Sequence, residues 1–400
     1  MMTSFKSNLL ALIHQAYRDE QAFIDSLGDD ERATVGAPEH WSAKDHLAHI
    51  AFWRQRLVLR LRAVLTGEPQ PGFQDHLQVN KQVFEDHREH SWREVLELGE
   101  RSYEAQTEHL DQVPEADLVT FGRFDWIPNT EPLCIVVMDY SYEHSQQHFA
   151  QYYVDRRNPL RGAEVFQSWA DRLVSADVPP AMKGHSLYNL ACFQATHGNL
   201  EKASESLDQA FAVYPGPRLI DWSKTDPELS VLRRMIRTTR LNLVPVETSD
   251  AHAALSGERR PDWASDYPTE GDVVIARLIA ENSVLSADAY VPYKIALRES
   301  GQVIGGCGFL GPPDTKGSVE IGYGLAPSQR GKGIATEAVN GLVDKAWTDP
   351  LVTLVFALTE EGNEPSQGVL RRAGFRQVDS GIEQLRWEIV RPLDRLPGSD

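Results

Sequence analysis

Three rhythms of apolar spacing follow one another along this chain. From Ser4 to about Arg157, apolar residues recur every three or four positions in several long stretches. Polar or Pro/Gly-bearing turns such as Gly67-Glu68-Pro69-Gln70-Pro71-Gly72 divide them. That spacing lines one face of each helix with apolar side chains and predicts a helical bundle. Ser42, three residues before Asp45, reads as a helix N-cap, because a serine oxygen accepts from the unpaired amides of a first turn. From about Ala163 to Arg240 the helices become shorter. His185 to Phe193 and Leu200 to Ala210 read as a pair joined by a turn at Gly198, with flanking helices expected over Val165 to Val174 and Pro227 to Arg237. From Leu241 onward, strands alternate with helices. Strands are expected at Leu241–Val246, Tyr293–Arg298, Val303–Phe309, Val319–Leu325 and Leu351–Leu358, with a closing pair at Arg376–Asp379 and Gln384–Val390. Helices are expected between Asp250 and Asn282, after Val319–Leu325 as far as about Trp347, and from Pro365 to Ala373. The expected class is multidomain, α followed by α+β, divided at 1–158, 159–240 and 241–394.

Composition narrows the function classes. An apolar fraction of 41% in 400 residues suffices for real cores. No run of about 18 apolar residues and no cleavable leader pattern is present, so a cytoplasmic protein with no membrane partner is expected. A formal charge of −18 argues against nucleic acid, which is held mainly by clustered Lys and Arg. The three cysteines, Cys134, Cys192 and Cys307, lie far apart without metal-type spacing, which argues against a disulfide framework.

The segment Arg330-Gly331-Lys332-Gly333-Ile334-Ala335-Thr336 stands between a strand pattern and a helix pattern. Its glycines permit a tight turn, and the first turn of the helix behind it offers unpaired amides at a positive helix end, which suits a pyrophosphate. The spacing is neither Gly-x-x-x-x-Gly-Lys-Ser/Thr nor Gly-x-Gly-x-x-Gly. It resembles the Arg/Gln-x-x-Gly-x-Gly/Ala loop of the GCN5-related N-acetyltransferases, with Arg330, Gly333 and Ala335 in the three defining places. Further on, Asn363-Glu364-Pro365-Ser366 and Val369 to Phe375 resemble the second signature of the branch that includes ribosomal-protein and small-amine acetyltransferases.

The resemblance implies a mixed, mostly antiparallel α/β fold, acetyl-CoA as cofactor and direct attack by an amine in a ternary complex. It implies that main-chain groups of Tyr323, Gly324 and Leu325 pair with the pantetheine arm. Arg330, Gly331, Lys332, Gly333, Ile334 and Ala335 would hold the pyrophosphate, Asn363 would bond the pantetheine, and Ser366 would protonate the departing sulfur. Alternation puts Glu320 on one face with Gly322 and Gly324, a candidate base. Glu320 as a simple amine ligand or a structural carboxylate is an equal alternative, and Ser366 can instead cap the helix beginning at Pro365. The acceptor would be a small amine, a toxin or a protein amino terminus.

Near the other end, Tyr140 to His148 puts His144 and His148 one helical turn apart. With His40 to Ile50, this segment resembles the DinB-like four-helix bundles, some of which hold a divalent metal with three histidines. By motif position these are His49, His144 and His148, a set that suits zinc or nickel. His46 is an alternative ligand or a supporting partner. The bland alternative is a set of hydrogen-bonded core histidines. The helix pair from His185 onward resembles a single tetratricopeptide repeat, which implies either a groove for a protein partner or a rigid spacer. An alternative function therefore makes the bundle the main activity, as a metal-dependent hydrolase, thiol transferase or toxin-sequestering module. A non-enzymatic scaffold is the third reading.

Overall fold

The computed structural model describes residues 4–38, 40–70, 72, 76–128, 130–281, 290–378 and 384–392. Pro71, Asn282, Asp379 and everything past Pro392, which the sequence reading included in turns, helices, strands or domains, lie outside them. Contacts divide the chain into two units, one ending at Leu229 and the other beginning at Ser230.

The first unit is helical: α1 Phe5–Ser26, α2 Asp29–Ala33, α3 Ala43–Thr66, α4 His76–His87, α5 Trp92–Gln112, α6 Glu115–Val119, α7 Leu133–Tyr140, α8 Tyr142–Asp155, α9 Pro159–Ser175, α10 Pro180–Thr196, α11 Leu200–Val213 and α12 Pro217–Thr225. Ser42 caps α3 in a reciprocal box: its Oγ accepts from the Asp45 amide, and the Asp45 carboxylate accepts from the Ser42 amide at 2.8 Å. At the other end of α3, Gly67 turns left-handed at φ +73°, which closes the last turn without a Cβ penalty. The bundle proper is α1, α3, α5 and the pair α7–α8, which breaks at Ser141 (φ −125°, ψ −81°). Its core, built on Leu12, Leu57, Leu61, Val95, Leu133 and Phe149, continues without interruption to Trp169, Leu173 and Met182 of α9 and α10. Through Ala181 and Met182, α10 of the α10–α11 hairpin, which turns at Gly198 (φ +78°), joins the bundle's core. No helix among the described residues is long and apolar enough to cross a membrane.

The expected helix over Pro227–Arg237 is not formed as such. A 3₁₀ turn at Pro227–Leu229 precedes α13, Ser230–Arg234, and then Ile236–Arg237 becomes strand β1. The physical reason is tertiary: Ile236 pairs with Leu243, and that pairing at the sheet edge outweighs the short helical period.

The second unit continues with β2 Leu241–Pro245, α14 Thr248–Ser256, α15 Glu270–Glu281, β3 Pro292–Leu297, β4 Val303–Phe309, β5 Ser318–Leu325, α16 Ile334–Ala346, β6 Leu354–Thr359, α17 Glu364–Arg372, β7 Arg376–Val378 and β8 Leu385–Val390. The sheet order is β1-β2-β3-β4-β5-β6-β8-β7, antiparallel throughout except for β5 and β6. β6 starts at Leu354 rather than at the expected Leu351, which is exposed in the turn before it. Val319 and Ile321 on one face of β5 join Ala338, Val339 and Leu342 of α16 in a single core.

Register opens the site. β5 pairs with β6 only from Ser318 to Glu320, but with β4 from Ile321 to Leu325. Past Glu320, therefore, β5 and β6 diverge, and one main-chain edge of Ile321–Leu325 has no strand beside it among the described residues. Such an edge accepts an extended polar ligand as a strand would.

Candidate functional site

At the open end of this cleft, the chain leaves β5, makes a 3₁₀ turn at Pro327–Gln329 and enters the loop before α16. Gly331 (φ +77°) and Gly333 (φ +75°) are both left-handed, and Gly333 is the N-cap of α16. The first-turn amides of a 13-residue helix thus face the loop. Arg330 turns back, its Nε donating to the Leu325 carbonyl at 3.2 Å, and the Lys332 ammonium donates to Gln329 Oε1 at 2.9 Å. Both basic side chains brace the loop itself. A second brace comes from the β1–β2 turn. Glu337 in the first turns of α16 accepts from Thr238 Oγ1 (2.7 Å) and from the Arg240 amide (2.6 Å) and Nε (2.7 Å). Arg240 also donates to the Lys332 carbonyl at 3.1 Å. Residues 97 positions apart make this clamp, and no local sequence signal announces it.

On the far wall of the cleft stands α17. Asn363 is its N-cap, with Oδ1 accepting from the Ser366 amide at 3.2 Å. The cap reading of Ser366 is therefore corrected. The helix begins at Glu364, Pro365 occupies its first turn, and Ser366 is already inside it. The Ser366 hydroxyl instead donates to the Tyr323 hydroxyl at 2.7 Å, and Tyr323 donates to the Ser366 carbonyl at 3.0 Å. This pair spans the cleft between β5 and α17. Burial pushes the Tyr323 phenol up to about 12, so it stays protonated and able to donate. The sequence reading used only the main chain of Tyr323.

Against the other face of the sheet, α14 and α15 enclose a cavity of about 240 Å³ whose floor is Gly306, Cys307 and Gly308 of β4 and Gly322 to Gly324 of β5. Glu320 is absent from its lining. It lies two residues from Gly322, the nearest cavity residue on its strand, and four from Gly324, about 7 and 13 Å along a strand, and burial raises its carboxyl while Arg386 lowers it. The carboxylates in the cavity wall are Asp250 and Asp272, neither of which the sequence reading singled out. Asp272 was legible in part, since Thr269-Glu270-Gly271-Asp272 has capping-box spacing at the start of α15.

In the helical unit, His49 on α3 and His144 and His148 on α8 offer ligand atoms all within 4.8 Å of one another. The ring of Trp41 stacks on His148 with centroids 5.7 Å apart. His46 Nδ1 bonds His148 Nδ1 at 3.0 Å, so His46 is a partner of His148 and leaves the latter's Nε2 for another contact. Burial drives His49 down to about 2 and His148 down to about 4, keeping both imidazoles neutral. His49 Nδ1 is buried without a hydrogen-bond partner among the described residues. A neutral, converging and partly orphaned donor set of this kind fits a divalent ion.

Comparison with known proteins matches a segment in each unit to a family. Residues 240–376 match the acetyltransferase (GNAT) domain family, and residues 12–152 match the DinB superfamily. The chain carries a GNAT acetyltransferase domain behind a DinB-superfamily domain. The acetyltransferase domain is 28% identical over 166 residues to uncharacterized N-acetyltransferase YjdG of Bacillus subtilis (strain 168), covering 40% of this chain and 97% of that protein. It is 36% identical over 85 residues to uncharacterized N-acetyltransferase p20 of Bacillus licheniformis, covering 21% of this chain and 48% of that relative. Among solved structures, RimJ of Mycobacterium smegmatis in complex with CoA-disulfide is 25% identical, over 40% of this chain and 85% of that one, with a TM-score of 0.30. The acetyltransferase domain makes this chain an acetyl-CoA-dependent acyltransferase.

Proposed function

We propose that the acetyltransferase domain moves the acetyl group of acetyl-CoA directly onto a primary amine, with both substrates bound at once. The free edge of β5 beside the left-handed loop at the head of α16 carries this reading, because it presents a strand edge and an anion cradle in line. Main-chain groups from Tyr323 to Leu325 would pair with the pantetheine arm; the Leu325 carbonyl already accepts from Arg330 and the Gly324 carbonyl turns toward β4, so Tyr323 supplies the free-edge groups nearest the reacting end. Amides from Arg330 to Ala335 would cradle the pyrophosphate, while Asn363 contacts the arm from the head of α17.

The amine must lose a proton before its nitrogen attacks the thioester carbonyl. Glu320 takes that proton through a chain of water molecules. As the C–S bond breaks, the departing sulfur receives the Ser366 hydroxyl proton, Ser366 regains one from the attacking nitrogen as the amide forms, and the Tyr323 hydroxyl holds Ser366 in place. In Ser366→Ala, kcat should fall by on the order of 100-fold, with the KM for acetyl-CoA within about twofold, measured as CoA release with a saturating amine. An unchanged kcat would remove Ser366 from the chemistry. A panel of amines given to the full chain tests the reaction as a whole: release of CoA that depends on no amine would count against transfer.

The histidine cluster favours a second reading for the DinB-like domain, in which His49, His144 and His148 hold zinc or nickel and His46 orients His148. A bound ion would supply Lewis acidity and lower the pKa of a water or thiol on its open position. That is the chemistry of a hydrolase, a thiol transferase or a toxin-binding resistance module. Tag-free protein should carry close to one divalent ion per chain by elemental analysis, and His148→Ala close to none. A ratio near zero in gently purified wild type would end this reading.

A further inference from the structure

We propose that Asp272 is the group that binds the acceptor's ammonium, and that the acceptor is a primary amine with a compact apolar body. This rests on the acetyl-transfer reading above and names the substrate class of the same site.

Asp272 sits at the head of α15 with its two oxygens in different roles. Oδ2 accepts from the Thr269 amide (2.9 Å) and hydroxyl (2.6 Å), which fixes the carboxylate to the helix start. Oδ1 points at the bare backbone of β4, where a Cβ added to Gly306 would come within 2.2 Å of it. Gly306 pairs with Gly324, so this oxygen reaches the sheet at the level of the β5 segment assigned to the pantetheine arm. Glu320 lies several residues further down the strand.

Charge balance singles Asp272 out within the cavity. The other carboxylate in the wall, Asp250, is already paired, with Arg260 at 2.6 Å and Lys294 at 2.8 Å. No cation lies within ion-pair distance of Asp272 among the described residues. A half-buried carboxylate whose charge has no cationic partner is costly unless a ligand supplies one. Burial raises its carboxyl even against the two Thr269 hydrogen bonds.

The rest of the wall selects the body of the ligand. Ala251, Ala254, Ile275, Ala276, Phe309 and Leu310 line it, and Leu310 is half exposed at the rim. One unpaired carboxylate in an apolar cavity of about 240 Å³ matches a single positive charge on a small hydrophobic group. A polyamine would leave further charges against alkyl surface, and a peptide terminus would bring unpaired amides there.

The test uses the full-length protein, with phenethylamine and acetyl-CoA titrated separately by calorimetry, followed by steady-state kinetics. Asp272→Asn keeps an oxygen for Thr269 and removes only the charge. It should weaken phenethylamine binding at least 10-fold and raise its KM by a similar factor, with acetyl-CoA affinity within twofold. Gly306→Ala, which places a methyl where Oδ1 sits, should lose phenethylamine binding in the same way. Unchanged phenethylamine affinity in Asp272→Asn would overturn the proposal, as would 2-phenylethanol competing as well as the amine. Preference for spermidine or a peptide amino terminus by 10-fold or more would overturn the substrate class. Failure of acetyl-CoA to bind the wild type would instead overturn the transfer reading, and the separate amine titration keeps the two failures apart.

Discussion

Gly333→Val should weaken acetyl-CoA binding by on the order of 100-fold or more. Gly333 holds φ +75° as the N-cap of α16, and a β-branched residue there is a steric outlier costing roughly 1–3 kcal/mol. Space is not the obstacle, because the nearest atom to an added Cβ, Arg240 Nη2, is 3.7 Å away. The valine would relieve its strain by rotating the backbone out of the left-handed region, and that rotation turns the loop amides away from the pyrophosphate. Each hydrogen bond to a charged group contributes about 1.5–3 kcal/mol, so losing two costs about 3–6 kcal/mol of binding. Gly301→Val is the control. Gly301 has φ +71° in the β3–β4 turn with open space around it, so it carries comparable strain away from the loop. Calorimetry with acetyl-CoA should separate the two variants, and an unchanged affinity in Gly333→Val would sink the cofactor assignment to this loop.

What made this loop readable was local. Two glycines, a preceding strand of strict alternation and a following helical period all fall within about twenty residues, so their geometry follows from short-range sterics. The Ser42 cap was legible for the same reason, a side chain reaching an amide three residues away. Ile236–Arg237 was not, since two residues hold no period and their strand exists only because Leu243 and Asn242 lie beside them. The same limit governs the site. Tyr323 and Ser366 are 43 residues apart, and their hydrogen bond depends on where β5 and β6 diverge, a property of register. The capping-box spacing before α15 is a signal that could have marked Asp272, but its aim at Gly306 follows from how α15 lies on β4. Glu320 could be placed on one face with Gly322 and Gly324 by alternation, yet that it stops two residues short of the cavity floor only emerges once the cavity has walls. In the helical unit, the i, i+4 spacing of His144 and His148 was visible in the sequence. The bond that makes His46 the partner of His148 joins two helices and was one of two open alternatives.

Glu20→Ala should destabilise the helical unit by about 3–5 kcal/mol. Glu20 on α1 and Arg54 on α3 are each 2% exposed, and their side chains meet at 2.5 Å in the middle of the bundle. Arg54 Nη2 also donates to Ser145 Oγ of α8 at 3.2 Å, so one guanidinium joins three helices. Removing the carboxylate leaves a cation in a wall of side chains with one neutral hydroxyl and the Tyr17 ring, 5.9 Å away, to receive it. The cost is mainly that of the stranded charge rather than of the lost bond. It follows that removing both charges hurts less than removing one: Glu20→Met combined with Arg54→Met should be much closer to wild type than Glu20→Ala, because apolar groups of similar volume need no partner. Hydrogen exchange on the full-length protein reads this unit by itself, since α1 and α3 peptides report its opening whatever the acetyltransferase domain does. Protection in those helices should fall by a factor of roughly 150 or more in Glu20→Ala, with β4 and β5 unchanged. Equal protection in the single and double variants would show that the pair is not what joins α1, α3 and α8.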